Sequence, residues 1–227
     1  MTQYESLLVT FGIPLIFLVA FSLIKVLPLP LGITKSVQFL VPGTIALAVM
    51  ATGMVSLGIA TGVERSYGVL KRLGTTPLSR GALLLAKITA VGVIELIQVL
   101  LLAGVGLALG WKPAGNAAYF ILAIVLSSAS FAGIGLIMAG RLKSEAVIGA
   151  ANGVFLILLV LGGMIFPVSS LPGGIADVAK VLPAYASAHL LFANSSGPSG
   201  STTQSWIVLA AWAILAPLAA TKLFSFE

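Results

Sequence analysis

The sequence predicts an all-α integral membrane protein. It has six transmembrane helices, a short helix in the cytoplasmic loop after the second, and an extracytoplasmic re-entrant or interfacial helix between the fifth and sixth. Three observations carry this reading. Apolar residues make up 59% of the 227-residue chain and charged residues 8%, with a mean hydropathy of +1.16, whereas water-soluble domains are roughly a quarter charged. The apolar residues are gathered into six tracts, each near or above the ~20 residues that a helix needs to cross ~30 Å of hydrocarbon. The tracts are continuously apolar rather than alternating, which favours helices over a β-barrel, because an isolated strand leaves backbone groups unpaired in lipid. A single transmembrane domain, 1–227, accounts for the whole chain.

The first tract, 7–27, has no Lys or Arg before it and is too long for the apolar region of a secretory leader, so it is expected to remain in the membrane. The others fall at 37–62, 82–110, 117–140, 146–166 and 206–221. Basic residues orient them. With the N-terminus inside, the cytoplasmic side receives Arg65, Lys71, Arg72, Arg80, Lys87, Arg141, Lys143 and Lys222, against Lys25, Lys35, Lys112 and Lys180 outside. The excess inside predicts both termini in the cytoplasm. Trp111, Tyr119 and Trp206 then sit near outer span ends, where amphipathic rings favour the interface. This arrangement also explains the net charge of +6 without a nucleic-acid partner, since the basic residues occupy short gaps between spans. The absence of Cys excludes disulfides, thiolate chemistry and Cys-based metal sites.

Between the second and third spans, "VERSYGVLKRLGTTPLSR" (63–80) holds five charged residues: Glu64, Arg65, Lys71, Arg72 and Arg80. Good helix formers over 63–73 predict two or three turns continuing the second span, ended by Gly74 and Pro77. Ser79 is placed to cap the third span. Within that span stands Glu95, where a charge costs ~2.5–3.5 kcal/mol on insertion scales, so it is expected to be protonated, paired or facing a wet cavity. Gln98, one turn on, shares its face and could share a hydrogen bond with it. The pair reads either as lining a path for a polar or cationic solute or as an interhelical hydrogen bond. Lys87 reads as an anchor that snorkels to the inner interface. His189, the sole histidine, has no metal-ligand neighbours in the sequence.

After the fifth span, Pro167, Pro172 and Pro183 punctuate an apolar run in which 174–182 shows helical spacing, with Asp177 and Lys180 on the polar side. Such a helix lies in the outer interface or dips back into the membrane. A polar linker, 194–205, leads to the last span. G-x-x-x-G spacings at Gly58/Gly62, Gly106/Gly110 and Gly149/Gly153 allow close helix approach, without identifying which faces meet.

Two stretches carry a resemblance. "LVPG" (40–43), "VERSYG" (63–68), "LKRL" (70–73) and "TPLSR" (76–80), together with "FP" (166–167) and "LP" at 171–172 and 182–183, resemble ABC-2 type transporter permeases of bacterial drug and antibiotic efflux systems. The resemblance implies two six-helix permease subunits, homodimeric or heterodimeric, in the bacterial cytoplasmic membrane. Each is driven by a cytoplasmic ATPase subunit that docks on the loop between spans two and three, the coupling helix. Carried over, the coupling residues are Glu64, Arg65, Tyr67, Gly68, Lys71, Arg72 and Pro77, and Pro167, Pro172 and Pro183 belong to an extracytoplasmic gate; Glu95 and Gln98 are the substrate-path candidates on the reading of the span given above. Family members commonly carry a longer cytoplasmic N-terminus with an amphipathic helix, whereas Met1 to Ser6 precede the first tract here. No G-x-x-x-x-G-K-[ST] pattern occurs, so ATP and Mg are expected on the partner and this chain is expected to be a transport subunit, not an enzyme. The expected cargo is hydrophobic or amphiphilic. A lipid or glycolipid cargo, or a proton-coupled secondary transporter using Glu95, are the alternatives; an intramembrane enzyme lacks any Ser-His or paired-Asp arrangement.

Overall fold

A computed structural model describes residues 3–23, 35–73, 79–165, 168, 171–195 and 200–223, with backbone alone at 3–9, 71, 73 and 80. No strand occurs among the described residues. The helices are α1 (Gln3–Leu23), α2 (Ser36–Met50), a π-helical turn (Ala51–Ser56), α3 (Leu57–Ser66), α4 (Val69–Leu73), α5 (Arg80–Ala108), α6 (Ala117–Arg141), α7 (Ser144–Leu161), α8 (Gly173–Ala179), α9 (Pro183–Ala193) and α10 (Thr203–Leu223). Among the described residues five helices are long and apolar enough to cross a membrane, counting Ser36–Ser66 as one, or six if the bent pair α8–α9 counts as a span. The first predicted span falls on α1, apolar over Thr10–Leu23.

The helix Ser36–Ser66 is the centre of the bundle. Within its most apolar window 83% of residues are buried, against 50% or less for the other spans. Its side chains, Leu40, Ile45, Met50 and Met54 among them, form the main core with Phe131 of α6 and Leu190 of α9. A second cluster gathers Leu57, Leu70, Leu83, Leu84, Leu136 and Ala220, so α3, α4, α5, α6 and α10 meet at one end. The most extensive helix pairing is α6 with α10.

Local chemistry sets the helix ends. Ser79 accepts from the Ala82 amide at 3.2 Å and caps α5, and Asn116 accepts from the Ala118 and Tyr119 amides to cap α6. The end of α5 is a Schellman motif: Gly110 at φ +90° lets Trp111 N–H reach Gly106 C=O at 2.8 Å. Tyr119 and Trp206 rings stand 5.8 Å apart, placing two predicted interfacial aromatics at one level.

The connection after the fifth span corrects the predicted single short helix over 174–182. Helix α7 ends at Leu161, earlier than the predicted 166, because Gly163 adopts φ +69°. Helix α8 stops at Ala179, and α9 follows at 82° to it. Pro172 caps α8 and is exposed; Pro183 starts α9 and is buried. Pro167 lies outside the described residues. Small residues at Ala184, Ala186, Ser187 and Ala188 let α9 pack against α2, α6 and α10 rather than lie on a surface. The Ser187 hydroxyl meets Ser127 of α6 at 2.7 Å, and His189 Nδ1 meets Ser205 of α10 at 2.9 Å.

Candidate functional site

Two features can carry function: an elbow between α3 and α5, and a groove between α5 and α6. The predicted helix over 63–73 is broken in its middle. Tyr67 ends α3, Gly68 takes φ +69°, and α4 starts anew at Val69. A left-handed turn at Gly68 accomplishes this because any L side chain there costs roughly 1–2 kcal/mol; the break therefore precedes the predicted one at Gly74, which with Pro77 lies outside the described residues. Glu64 and Arg65 consequently belong to the last turns of the central helix, and both are partly exposed and engaged by neighbouring segments. Glu64 pairs with Lys87 of α5. The Arg65 guanidinium donates through Nη2 to the Leu142 carbonyl, between α6 and α7. Lys87 is thus an interhelical tie rather than a lipid anchor.

Beyond Gly68 the elbow divides by side. Leu70 is fully buried in the second cluster, while Tyr67 is 77% exposed and Val69 41% exposed. Arg72 points outward and its amide donates to the Gly68 carbonyl at 3.1 Å. Lys71 lies on α4, described by backbone alone. Leu70, the buried side chain of α4 among the described residues, is packed with residues of four helices, α3, α5, α6 and α10.

Glu95 and Gln98 do not bond to each other. Gln98 accepts from the Thr52 hydroxyl at 2.9 Å and donates to the Thr10 carbonyl at 2.9 Å. It therefore joins α5 to the π-helical turn and to α1. Glu95 turns towards α6. It is 1% exposed, and neither carboxyl oxygen makes a hydrogen bond of normal geometry among the described residues; the Ser128 side chain of α6 is the polar group that interacts with it. Gly53, within the π-helical turn, makes room for it: a methyl there would stand 3.0 Å from Glu95 Oε1. Single π turns are rare and recur at functional positions.

Glu95 and Ser128 belong to the wall of a groove of about 480 Å³ between α5 and α6. Gly92, Leu96, Ile121 and Val125 continue the wall, and Leu96, Ile121 and Val125 are exposed outside the bundle. Gln98 is not part of it. No group of three or more His, Cys, Asp or Glu that could hold a metal occurs among the described residues. The chemistry on offer is one buried carboxyl and one hydroxyl in an apolar slot. It suits binding and proton or cation accommodation.

Sequence reasoning missed Thr52, Gly53 and Ser128. The polar run Ser127–Ser128 with Ser130 inside an apolar span was a usable signal; the π turn has no sequence signature.

Comparison with known proteins is consistent with this architecture. A family model described as ABC-2 family transporter protein matches residues 23–222. The probable multidrug ABC transporter permeases YbhS of Escherichia coli strain K12 and of strain O157:H7 are each 25% identical to it over 152 residues. That match covers 66% of this chain, and the chain spans 40% of the length of those relatives.

Proposed function

The chain belongs to the ABC-2 family of transporter proteins, and on that premise we propose that it is the permease subunit of an exporter driven by a separate ATPase that docks on the exposed edge of the elbow. It is a multi-pass membrane transport subunit. In this reading it resides in the bacterial cytoplasmic membrane with both termini inside and pairs with a second permease, identical or related. ATP and Mg are held by the partner. The cargo is a hydrophobic or amphiphilic, drug-like compound, in keeping with the name of the similar multidrug permeases.

The observation that supports the elbow as docking point is its division of labour: Leu70 is buried among residues from α3, α5, α6 and α10, while Tyr67 and Val69 are presented outward. An interface anchored on an aromatic side chain and braced by a buried aliphatic one is the usual pattern where a few residues carry most of the affinity. Glu64 and Arg65 hold the elbow to the bundle instead of meeting the partner.

The test is reconstitution with the ATPase subunit in liposomes, comparing the native chain with a Tyr67→Ala/Val69→Asp variant. The variant is expected to lose at least 90% of nucleotide-dependent export and of co-purifying ATPase activity while keeping its thermal stability. Export that persists in the variant, or solute movement by the chain alone under a pH gradient without nucleotide, overturns the reading.

A further inference from the structure

We propose that the groove between α5 and α6 is a lateral binding site for a lipophilic organic ammonium ion, with Glu95 as its counter-charge and Ser128 as a second polar contact. Four observations converge on that ligand class. Among the described residues Glu95 is the sole ionisable one in the wall of the groove, and it is 1% exposed, so any charge it bears is held away from water. Its carboxyl oxygens lack hydrogen bonds of normal geometry among the described residues, and a buried acceptor left in that condition is a standing cost that a donor from a ligand removes. Among the described residues no Lys, Arg or His lines the groove to compete for it; the nearby amide, Gln98, is committed to Thr52 and Thr10. The rest of the wall is apolar and about 480 Å³ in volume, within the usual range for small-molecule sites.

An anion would meet the carboxyl and no donor but a single hydroxyl. A wholly apolar occupant would leave the acid unsatisfied. A compound with one cationic nitrogen and an aliphatic or aromatic body satisfies both parts, and the attraction is strengthened by the low dielectric around the acid. The open side of the groove is bordered by Leu96, Ile121 and Val125, exposed side chains of the outer faces of α5 and α6. Such a compound would therefore arrive sideways from the acyl-chain region of the bilayer and not through water. Gly92 makes the space: a side chain begun there would meet nothing within 4 Å.

As a substrate site this inference rests on the transport reading above; as a binding site it does not, so binding is measured on the chain alone. The probe is radiolabelled dodecylamine, cationic at pH 7, added to the full chain in phosphatidylcholine nanodiscs, with empty nanodiscs subtracting partition into lipid. A saturable component is expected, weakened at least tenfold by Glu95→Gln and by Gly92→Leu, which fills the groove without strain, and several-fold by Ser128→Ala. Dodecanol, with the same chain and no charge, is expected to compete at least tenfold less well than dodecylamine. Thermal unfolding identifies any variant that fails to fold; if Glu95→Gln fails, Gly92→Leu together with the dodecanol comparison decides. Absence of a saturable component, binding indifferent to the folded variants, or equal competition by dodecanol overturns the proposal. Loss of amine binding with nucleotide-driven export of other cargo intact sinks the site alone, whereas amine binding without nucleotide-driven export sinks the transport reading alone.

Discussion

Gln98 is bonded on both sides of its amide, to the Thr52 hydroxyl and to the Thr10 carbonyl, and so ties α5 to the central helix and to α1. Interhelical hydrogen bonds in membrane proteins average ~0.6 kcal/mol and reach ~1.7 kcal/mol in double-mutant cycles. Thr52→Val and Gln98→Leu are therefore each expected to lower unfolding free energy by about 1 kcal/mol. Combined, they should fall short of additivity by about 0.5–1.5 kcal/mol, measured by denaturant unfolding in mixed micelles; strict additivity would show that the bond does not contribute. Glu64 and Lys87 form a second tie, with side chains 39% and 14% exposed, which places it nearer the surface regime of at most ~1 kcal/mol. Glu64→Lys should cost about 1 kcal/mol by adding like-charge repulsion. The exchange Glu64→Lys/Lys87→Glu should recover most of that loss, and no recovery would mean that the pair acts through something other than charge.

The three glycine pairs, indistinguishable by spacing, separate once the helices are in place. A methyl on Gly58 would meet Gly135 of α6 at 3.2 Å, and one on Gly135 would meet the Met54 carbonyl at 2.6 Å, so α3 and α6 cross here backbone to backbone. Gly62 lies against Val147 of α7 and Gly106 against Val41 of α2. Around Gly149 and Gly153 nothing stands within 4 Å. Gly135→Val is thus expected to destabilise by about 1–3 kcal/mol or more through overpacking against backbone that cannot yield. Gly149→Ala and Gly153→Ala should leave the unfolding of the isolated chain unchanged or slightly improved by helix propensity. The contrast is read from thermal midpoints in detergent, and equal losses at Gly135 and Gly149 would contradict the crossing described.

Across the whole molecule, α5 connects the two features. Leu83, Leu84 and Lys87 near its start contact the elbow cluster and Glu64, while Ile88, Gly92 and Glu95 further along line the groove. On the transport reading proposed above, a push on α4 would reach the groove through one uninterrupted helix, α5, which runs past the π-helical turn of the central helix beside Glu95. Leu70 is the joint in this path. Leu70→Ala is expected to destabilise by about 2–5 kcal/mol, as for other buried leucines, and, on the transport reading proposed above, to uncouple ATP hydrolysis from export. On the same reading Tyr67→Ala should weaken ATPase docking and export with little effect on stability, because its side chain is 77% exposed. If Leu70→Ala left both stability and coupling intact, α4 would be a passive loop.

The apolar tracts, their order and the cap at Ser79 follow from length, apolarity and punctuation, which act locally along the chain. For a membrane helix that is nearly sufficient, because lipid demands that each segment satisfy its own backbone hydrogen bonds whatever its neighbours do. Residue roles were different. Glu64 and Arg65 read as coupling contacts and Lys87 as a lipid anchor; that Glu64 reaches Lys87 and Arg65 reaches the Leu142 carbonyl was decided by the fold. Glu95 and Gln98, one turn apart, looked like a pair until α1, α6 and the π turn supplied each with a different neighbour. Those outcomes depend on which helix faces which. That choice is made by close backbone approach at a few glycines and by side-chain packing summed over the bundle, and no periodicity within a single segment contains it.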